Sequence, residues 1–238
     1  MEQYSVQFGQ KKISFYLSRK DVKNVNLNVK PDMTVMVSAN KRVPLDFIKG
    51  YVKSKGNWIL KQQNLFEKTR SEENNKEFVS GETIRYLGKQ YRLRVIEGEE
   101  EIKFSQGYIH LWVKNKNDYK KKRELIQGWL RQRARLVFEE SLERMYRPIK
   151  KYEIKKPEMR IRQMKARWGS CIKDKNIILL NSDLIKAPKA CVDYVVMHEL
   201  IHFKYSGHNK EFYSFLTALM PDWKKRKEIL DQEVVREL

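Results

Sequence analysis

Three histidines and one glutamate, His198, Glu199, His202 and His208, lie within an 11-residue window that could bind and use a metal ion. Residues four apart lie on one face of a helix, so His198 and His202 point the same way, one turn apart. Two imidazoles placed in this way can bind one metal ion. Glu199, about 100° further round the helix, can reach a water molecule on that ion. The pattern predicts two metal ligands and a general base.

A catalytic zinc ion usually has three protein ligands and one open position, which makes His208 the candidate third ligand. His208 follows His202 by six residues and cannot share its helical face, so the chain must turn between them. Residues 204–207 can make this turn, and Gly207 is expected to adopt the left-handed or otherwise strained backbone that ends the helix. The fourth histidine, His110, alternates with apolar residues on a predicted strand and is not expected to be a ligand.

The composition of the whole chain limits the class of protein. A length of 238 residues suffices for one large domain or two small ones. No apolar stretch is long enough to span a membrane, and no apolar segment of a signal peptide follows the N-terminal residues 1–6. The two cysteines, Cys171 and Cys191, do not suggest a disulfide framework. We therefore expect a cytoplasmic protein without membrane contact; its oligomeric state is open.

The formal net charge of +20 is spread over several basic runs, among them residues 120–123 and 224–227. Such runs can bind a polyanion, for example a nucleotide, a nucleic acid or an acidic protein. They are also typical of solvated surfaces, which is the interpretation that the sequence favours. Contact with a polyanion through the basic surface remains an open prediction.

The hydrophobic pattern predicts an α+β protein with two regions. Alternating apolar residues predict a β-meander over residues 4–38 and further strands over 83–113, with one helix at about 44–69 that Gly56 can break or kink. These elements form a β-rich N-terminal region, residues 1–117. The second region, residues 118–238, begins with a long helix over 119–147, capped by Asp118 and ended by Pro148, which we expect to pack behind the metal-binding helix. Pro188 is expected to open that metal-binding helix.

Several stretches of the chain closely resemble the YgjP-like metallopeptidases, relatives of the WLM and SprT-like zinc peptidases in the minigluzincin group. The residues that carry the resemblance are Arg167-Trp168-Gly169-Ser170-Cys171, Leu180-Asn181, the run from Tyr194 to His202, His208, Phe212, and the N-terminal motifs Ser80-Gly81-Glu82 and Tyr86-Leu87-Gly88-Lys89. The resemblance implies a zinc site with His198, His202 and His208 as ligands and Glu199 as the catalytic residue. It also implies a zincin-like domain, with the active-site helix on a small, three-stranded antiparallel or mixed sheet behind a β-rich N-terminal region.

The metzincins are the other zinc peptidases with a third histidine six residues after the second. Their glycine falls three residues after the second histidine, where this chain has Tyr205. No separate Met-turn is evident either, so the metzincin interpretation is rejected.

A zinc ion in this site is expected to lower the pKa of a bound water molecule toward about 7. Glu199 then takes the proton and passes it to the leaving group. Tyr205, Arg167 and Lys204 are possible donors to the developing oxyanion, and the sequence does not choose among them. In zincins the substrate usually adds as a strand to a sheet edge near the metal.

The stretch from Trp168 to Ser170 is a candidate for that edge, because Gly169 permits close approach of another backbone. Packing in the core is an equally good interpretation of Trp168. Arg167, Trp168, Gly169, Ser170 and Tyr205 are therefore candidate substrate-binding residues.

Three functions fit these observations, and the first is a metallopeptidase that hydrolyses peptide or protein substrates with zinc or another divalent transition metal. The second is a metal-dependent hydrolase of nucleotide phosphoanhydrides, a nucleoside triphosphate pyrophosphatase, although the sequence has no glycine-rich phosphate loop. The third is a structural zinc site in a nucleic-acid-binding module, which needs a fourth protein ligand. Cys171 could supply that ligand, whereas Cys191 lies two helical turns before His198, about 10 Å away along the axis.

Overall fold

The computed structural model describes residues 2–22, 24–30, 32–74, 76–164 and 167–231. It has α+β architecture, with small sheets and several helices, as the sequence predicts. The chain forms two compact units that divide after Asn74. The domain boundary that the sequence suggested, between residues 117 and 118, lies inside the second unit.

The first unit contains a four-stranded sheet and two helices. Its elements are β1 (Glu2–Phe8), β2 (Lys11–Arg19), β3 (Asn26–Val29), β4 (Val35–Ala39), α1 (Leu45–Ser54) and α2 (Gly56–Asn74). The strand order is β1-β2-β4-β3, and β2 and β4 are parallel. The predicted meander is therefore wrong at this pair. Alternating apolar residues define the buried face of a strand and leave the identity of its neighbour open.

The helix predicted over residues 44–69 is interrupted at Lys55, so that α1 and α2 are separate helices. Gly56 begins α2 against the ring of Phe8, where an added Cβ atom would lie 2.4 Å from the ring carbon Cδ2. Glycine is therefore required at this position by close packing.

The second unit begins with another four-stranded sheet, followed by a long helix. The elements are β5 (Thr83–Tyr86), β6 (Lys89–Glu97), β7 (Glu101–Ser105), β8 (Tyr108–Val113) and α3 (Tyr119–Ile149). The strand order β5-β6-β8-β7, with β6 and β8 parallel, repeats the topology of the first sheet. The Asp118 side chain accepts a hydrogen bond from the Lys121 N–H at 2.9 Å, which confirms the predicted helix cap.

Two features of α3 differ from the prediction. The helix continues through Pro148 and ends one residue later, at Ile149, so the prediction that Pro148 ends it is wrong by one residue. Lys122, in the basic run over residues 120–123, is only 3% exposed and does not contribute to a basic surface.

The hairpin between β5 and β6 contacts the segment that precedes the metal-binding helix. Leu87 and Gly88 have φ angles of 49° and 79°, as a type I′ turn requires. Their N–H groups donate to the carbonyl oxygens of Ile185 and Lys186, both at 2.9 Å. A Cβ atom on Gly88 would lie 2.7 Å from Cγ of Pro188. The turn thus depends on glycine for both its backbone conformation and its packing.

Besides three short 3-10 helices (Lys150–Tyr152, Lys173–Lys175 and Ser182–Lys186), the described remainder of the second unit has a three-stranded mixed sheet and three α-helices. They are β9 (Glu158–Arg162), β10 (Gly169–Ile172), β11 (Ile177–Asn181), α4 (Lys189–Ile201), α5 (Lys210–Leu219) and α6 (Trp223–Ile229). The strand order is β10-β11-β9, with β10 antiparallel and β9 parallel to β11. Pro188 immediately precedes α4, as predicted. None of the helices in the described ranges is long and apolar enough to cross a membrane.

A buried carboxylate joins α4 to α3. Asp193 on α4 accepts hydrogen bonds from the Ser141 hydroxyl at 2.6 Å and from the Arg144 guanidinium at 2.5 Å. Ser141 is fully buried, and the side chain of Asp193 is 13% exposed. Because Asp193 lies five residues before His198, this network holds the helix that carries the first two histidines.

We predict that Asp193→Ala lowers the free energy of unfolding by about 2 kcal/mol, because it leaves the buried hydroxyl of Ser141 without an acceptor. Half-exposed Arg144 adds little to this loss. Glu140→Ala is the matched control, since it breaks the exposed ion pair of Glu140 with Lys189 between the same two helices. The control should cost less than about 1 kcal/mol. Chemical denaturation measures both changes, and equal losses would contradict the assignment.

Candidate metal centre

The three histidines of the predicted site converge in the structure. The Nε2 atom of His198 lies 3.2 Å from Nε2 of His202 and 2.9 Å from Nε2 of His208. The potential ligand atoms of all three residues lie within 4.8 Å of one another. His198 and His202 come from consecutive turns at the end of α4. His208 comes from the loop just before α5, where the Asn209 side chain caps the helix by accepting from the Phe212 N–H at 2.9 Å.

The arrangement fits a divalent metal ion. Three nitrogen ligands on a tetrahedral zinc ion lie about 3.3 Å apart, close to the separations seen here. Burial, and after it the neighbouring imidazoles of His202 and His208, lowers the pKa of His198 to about 3. Burial also lowers the pKa of His208. Neutral imidazole is the form that binds a metal ion, so these environments favour ligation at neutral pH.

Surrounding groups fix the orientation of the imidazoles. The Nδ1 atom of His202 lies 3.0 Å from the carbonyl oxygen of Tyr205, a contact that leaves Nε2 free for a ligand role. The ring of Phe212 is fully buried, and its centroid lies 5.0, 4.8 and 4.9 Å from the ring centroids of His198, His202 and His208. Phe212 therefore forms an apolar wall against all three imidazoles.

Glu199 follows His198 on α4 and is nearly buried, with 6% exposure. Burial raises the pKa of its carboxyl group to about 7, although the charge of Arg167 and a hydrogen bond from the Cys171 N–H act in the opposite direction. A carboxylate with such a pKa can take up and release a proton near neutral pH. The carboxylate thus lies against β10, and the Cys171 N–H of that strand favours its ionised form.

Strand β10 lies at the edge of its sheet and passes close to Glu199. Asn181 N–H donates to the carbonyl oxygen of Trp168 at 2.8 Å. Alternation along an antiparallel ladder then turns the backbone groups of Gly169 and Cys171 away from β11. The hydrogen bond from Cys171 to Glu199 agrees with this register. A Cβ atom on Gly169 would lie 2.7 Å from both Cγ and Oε1 of Glu199, so only glycine fits beside the carboxylate.

We predict that Gly169→Ala lowers kcat/KM for any substrate by about 100-fold, because the added methyl group displaces the Glu199 carboxylate. The φ angle of Gly169 lies outside the left-handed region, so backbone strain is not the cause. Gly128→Ala is the control, since Gly128 lies on α3 with nothing within 4 Å of the added Cβ. Initial rates and bound metal should be measured for both variants. A Gly169→Ala protein with the wild-type rate would contradict this packing argument.

The turn between the second and third histidines differs from the prediction. Gly207 does not have a positive φ angle, so the expected left-handed residue at this position is wrong. The helix ends instead through tightened hydrogen bonds, in which the N–H groups of Phe203 and Lys204 donate to carbonyl oxygens three residues earlier. The chain thus leaves the helix and reaches His208 without a residue in the left-handed region.

The candidate substrate-binding residues lie in different environments. Gly169 and Ser170 are part of the edge strand, and Trp168, just before it, is partly buried against the core of the second unit. The exposed Arg167 acts on the charge of Glu199, and its guanidinium lies 3.4 Å from the Ser170 hydroxyl. The ring of Tyr205 packs against Phe215 at a centroid distance of 5.7 Å.

Lys204 occupies a cluster of aromatic rings. Its ammonium group lies 5.3 Å from the centroid of Tyr152, 5.6 Å from that of Phe215 and 5.9 Å from that of Tyr205. Cation–π contacts therefore hold both Lys204 and Tyr205 among these rings. Of the three possible oxyanion donors, Arg167 is the one whose charge acts on Glu199.

Sequence reasoning missed the function of Asn181. Its buried side-chain amide donates to the carbonyl oxygens of Met164 and Arg167 at 2.8 and 3.1 Å, and its Oδ1 accepts from the Asp183 N–H at 3.2 Å. Asn181 thus fixes the chain on which Arg167 lies. The sequence signals were its place in the motif Leu180-Asn181 and a polar residue directly after the apolar run 177–180. His110, as expected, lies elsewhere, on β8, where its ring stacks on Trp112.

The family described as "YgjP-like, metallopeptidase domain" matches residues 23–233, which is most of the chain. The chain therefore belongs to this family, as the motifs in its sequence indicate. No curated protein sequence gives a significant match.

Proposed function

We propose that this member of the YgjP-like family is a zinc-dependent metallopeptidase with a zincin-like catalytic domain. The observation that carries the proposal is the convergence of three imidazole Nε2 atoms, together with the buried carboxylate of Glu199, the residue that follows His198 on α4. Three neutral nitrogen ligands, with a carboxylate beside them and outside the ligand set, are typical of catalytic zinc sites. Family membership supports metal-dependent hydrolysis of peptide bonds in particular.

His198, His202 and His208 would hold the ion. A divalent metal bound there would supply Lewis acidity, which lowers the pKa of a water molecule and polarises a carbonyl group. A fourth protein ligand, as in a structural zinc site, has little support. Among the residues that the structure describes, the cluster of potential ligands contains the three histidines without Cys171. Burial raises the pKa of the Cys171 thiol to about 11, which disfavours the thiolate that zinc binds.

Glu199 acts as the general base in the proposed mechanism. One carboxylate oxygen takes a proton from the attacking water molecule, and the same carboxyl group delivers it to the departing amine. The Cys171 N–H favours the ionised form of this carboxylate, and Gly169 leaves room for it. The burial of Phe212 and Glu199 lowers the polarity around the carboxylate, which strengthens the electrostatic interactions that it makes.

We propose that the substrate peptide adds to the outer edge of β10. The backbone N–H and C=O groups of Gly169 point away from β11. Those of Cys171 point the same way, and its carbonyl oxygen is available to a substrate because it is the N–H that interacts with Glu199. Main-chain hydrogen bonds to these groups would position an extended peptide beside Glu199. This placement explains why an edge strand, rather than a covered one, lies next to the catalytic carboxylate.

Nucleotide hydrolysis is the second candidate, because two cationic side chains, Arg167 and Lys173, lie at the two ends of β10. Phosphate oxygens could accept charge-assisted hydrogen bonds from these two side chains. Zinc-assisted attack on phosphorus would use the same ligands and the same base.

One experiment distinguishes the two candidates. The purified chain, stripped of metal and reloaded with one equivalent of zinc, would be incubated separately with a mixed peptide library and with nucleoside triphosphates. We expect cleavage of peptides that depends on zinc and is absent after chelation. Hydrolysis confined to the triphosphates would favour the second candidate, and no hydrolysis of either pool would contradict both.

A further inference from the structure

The cations around the candidate site differ in whether aromatic rings or an ion pair already hold them, and the charge of Arg167 also acts on Glu199. Lys204 is held among aromatic rings, and Lys227, whose charge acts on His198, forms an ion pair with Asp231. Within the described parts of the chain, Arg167 and Lys173 have no carboxylate in an ion pair with them. Both side chains are exposed.

Arg167 and Lys173 lie at opposite ends of the edge strand. Arg167 is two residues before Gly169, and Lys173 directly follows Ile172. Six residues of extended chain span at most about 20 Å, so one peptide strand along β10 passes both. The acidic side chain nearest in sequence is the exposed Asp174, in the turn that follows the strand.

The structure also orients both cations. The Asn181 side chain donates to the backbone carbonyl of Arg167, and the guanidinium contacts the Ser170 hydroxyl. The ammonium group of Lys173 donates to the Ser206 hydroxyl at 2.8 Å, two residues before His208. Each side chain still has donors to spare, because guanidinium carries five N–H groups and ammonium three. Cations held in this way lose less entropy on binding than free surface lysines.

We infer that Arg167 and Lys173 select peptide substrates with acidic side chains on both sides of the bond to be cleaved. This inference rests on the proposed peptidase function and names its substrate class. A substrate strand on β10 places one carboxylate against the guanidinium and another against the ammonium group. Exposed ion pairs of this kind contribute about threefold each to binding, so that two together give about tenfold.

The test compares three peptides of one sequence that carry Asp and Glu, Asn and Gln, or Lys at the flanking positions. We expect wild type to cleave the acidic peptide at least tenfold faster in kcat/KM than the neutral one, and the basic peptide most slowly. In the double variant Arg167→Gln, Lys173→Gln, the ratio of kcat/KM for the acidic peptide to kcat/KM for the neutral peptide should fall to about one. Glutamine at position 173 can still bond to Ser206, so the loop before His208 keeps its contact.

The double variant Lys120→Gln, Arg131→Gln is the control, because both side chains are exposed cations on α3 and their loss changes the net charge by the same amount. This control should keep the full preference for the acidic peptide over the neutral one. Equal cleavage of acidic and neutral peptides by wild type would overturn the inference and leave the peptidase function intact. If Arg167→Gln lowers kcat/KM by the same factor for all three peptides, the inference is also overturned, because Arg167 would then act as an oxyanion donor.

A second readout does not depend on turnover. Fluorescence anisotropy gives the Kd of the labelled peptides for zinc-loaded Glu199→Gln protein, with and without the two glutamine substitutions. We expect the acidic peptide to bind at least tenfold more tightly than the neutral peptide only when Arg167 and Lys173 are present. Added salt should weaken the binding of the acidic peptide. If wild type cleaves no peptide, the proposed function fails, and this comparison still decides whether the two cations select acidic peptides.

Discussion

Glu199→Gln is expected to lower kcat for peptide hydrolysis by about 10³-fold while the protein keeps its fold and its metal. General acid–base catalysis contributes roughly 10²–10⁴-fold, and glutamine cannot accept the proton. The amide is nearly isosteric with the carboxylate, so the contact with Gly169 and the packing of α4 survive. Glu199 lies outside the group of potential ligand atoms, so metal content should stay at the wild-type level.

The matched control for this variant is Glu139→Gln, the same chemical change at an exposed position of α3. It should retain the wild-type rate. Peptide cleavage is followed by mass spectrometry, and metal content by elemental analysis on the same preparations. A Glu199→Gln protein with more than a tenth of the wild-type rate would show that another group takes the proton.

Replacement of any one of His198, His202 and His208 by alanine is expected to abolish zinc binding at micromolar zinc and to reduce hydrolysis to background. Each residue provides one of three nitrogen atoms that converge within 4.8 Å, and two remaining imidazoles do not complete a catalytic zinc site. The fourth histidine provides the control. His110→Ala, on β8, should bind one zinc ion per chain and keep full activity, since its ring stacks on Trp112.

Circular dichroism must accompany this comparison, because loss of metal can also follow from loss of structure. We expect the alanine variants to retain the far-ultraviolet spectrum of the metal-free wild type. A variant such as His208→Ala that still holds stoichiometric zinc and cleaves peptides would remove that residue from the ligand set.

Local spacing made much of this site predictable from sequence. Four-residue spacing placed His198 and His202 on one helical face, and composition singled out His208. Contacts between residues that lie far apart in the sequence were not predictable. The need for glycine at position 169 arises from Glu199, thirty residues later in the chain, and becomes visible only when β10 and α4 lie together. The same holds for Gly88 against Pro188.

Strand pairing and turn geometry show the same limit. Alternation correctly identified the strands of the first two sheets, but the parallel pairing of β2 with β4 depends on how two hairpins come together in space. Leu87 has a positive φ angle that its residue type disfavours, and hydrogen bonds from this turn to Ile185 and Lys186 compensate for the strain. In the turn before His208, tightened backbone hydrogen bonds replaced the strained glycine that sequence alone suggested.

X-ray absorption at the zinc edge of the reloaded wild-type chain tests most directly whether the three histidines form an open, catalytic metal site. The proposed site predicts nitrogen and oxygen scatterers at about 2.0–2.1 Å, with the multiple-scattering pattern of three imidazoles and no sulfur. A sulfur shell at about 2.3 Å would contradict it, because Cys171 would then close the site as a structural ligand.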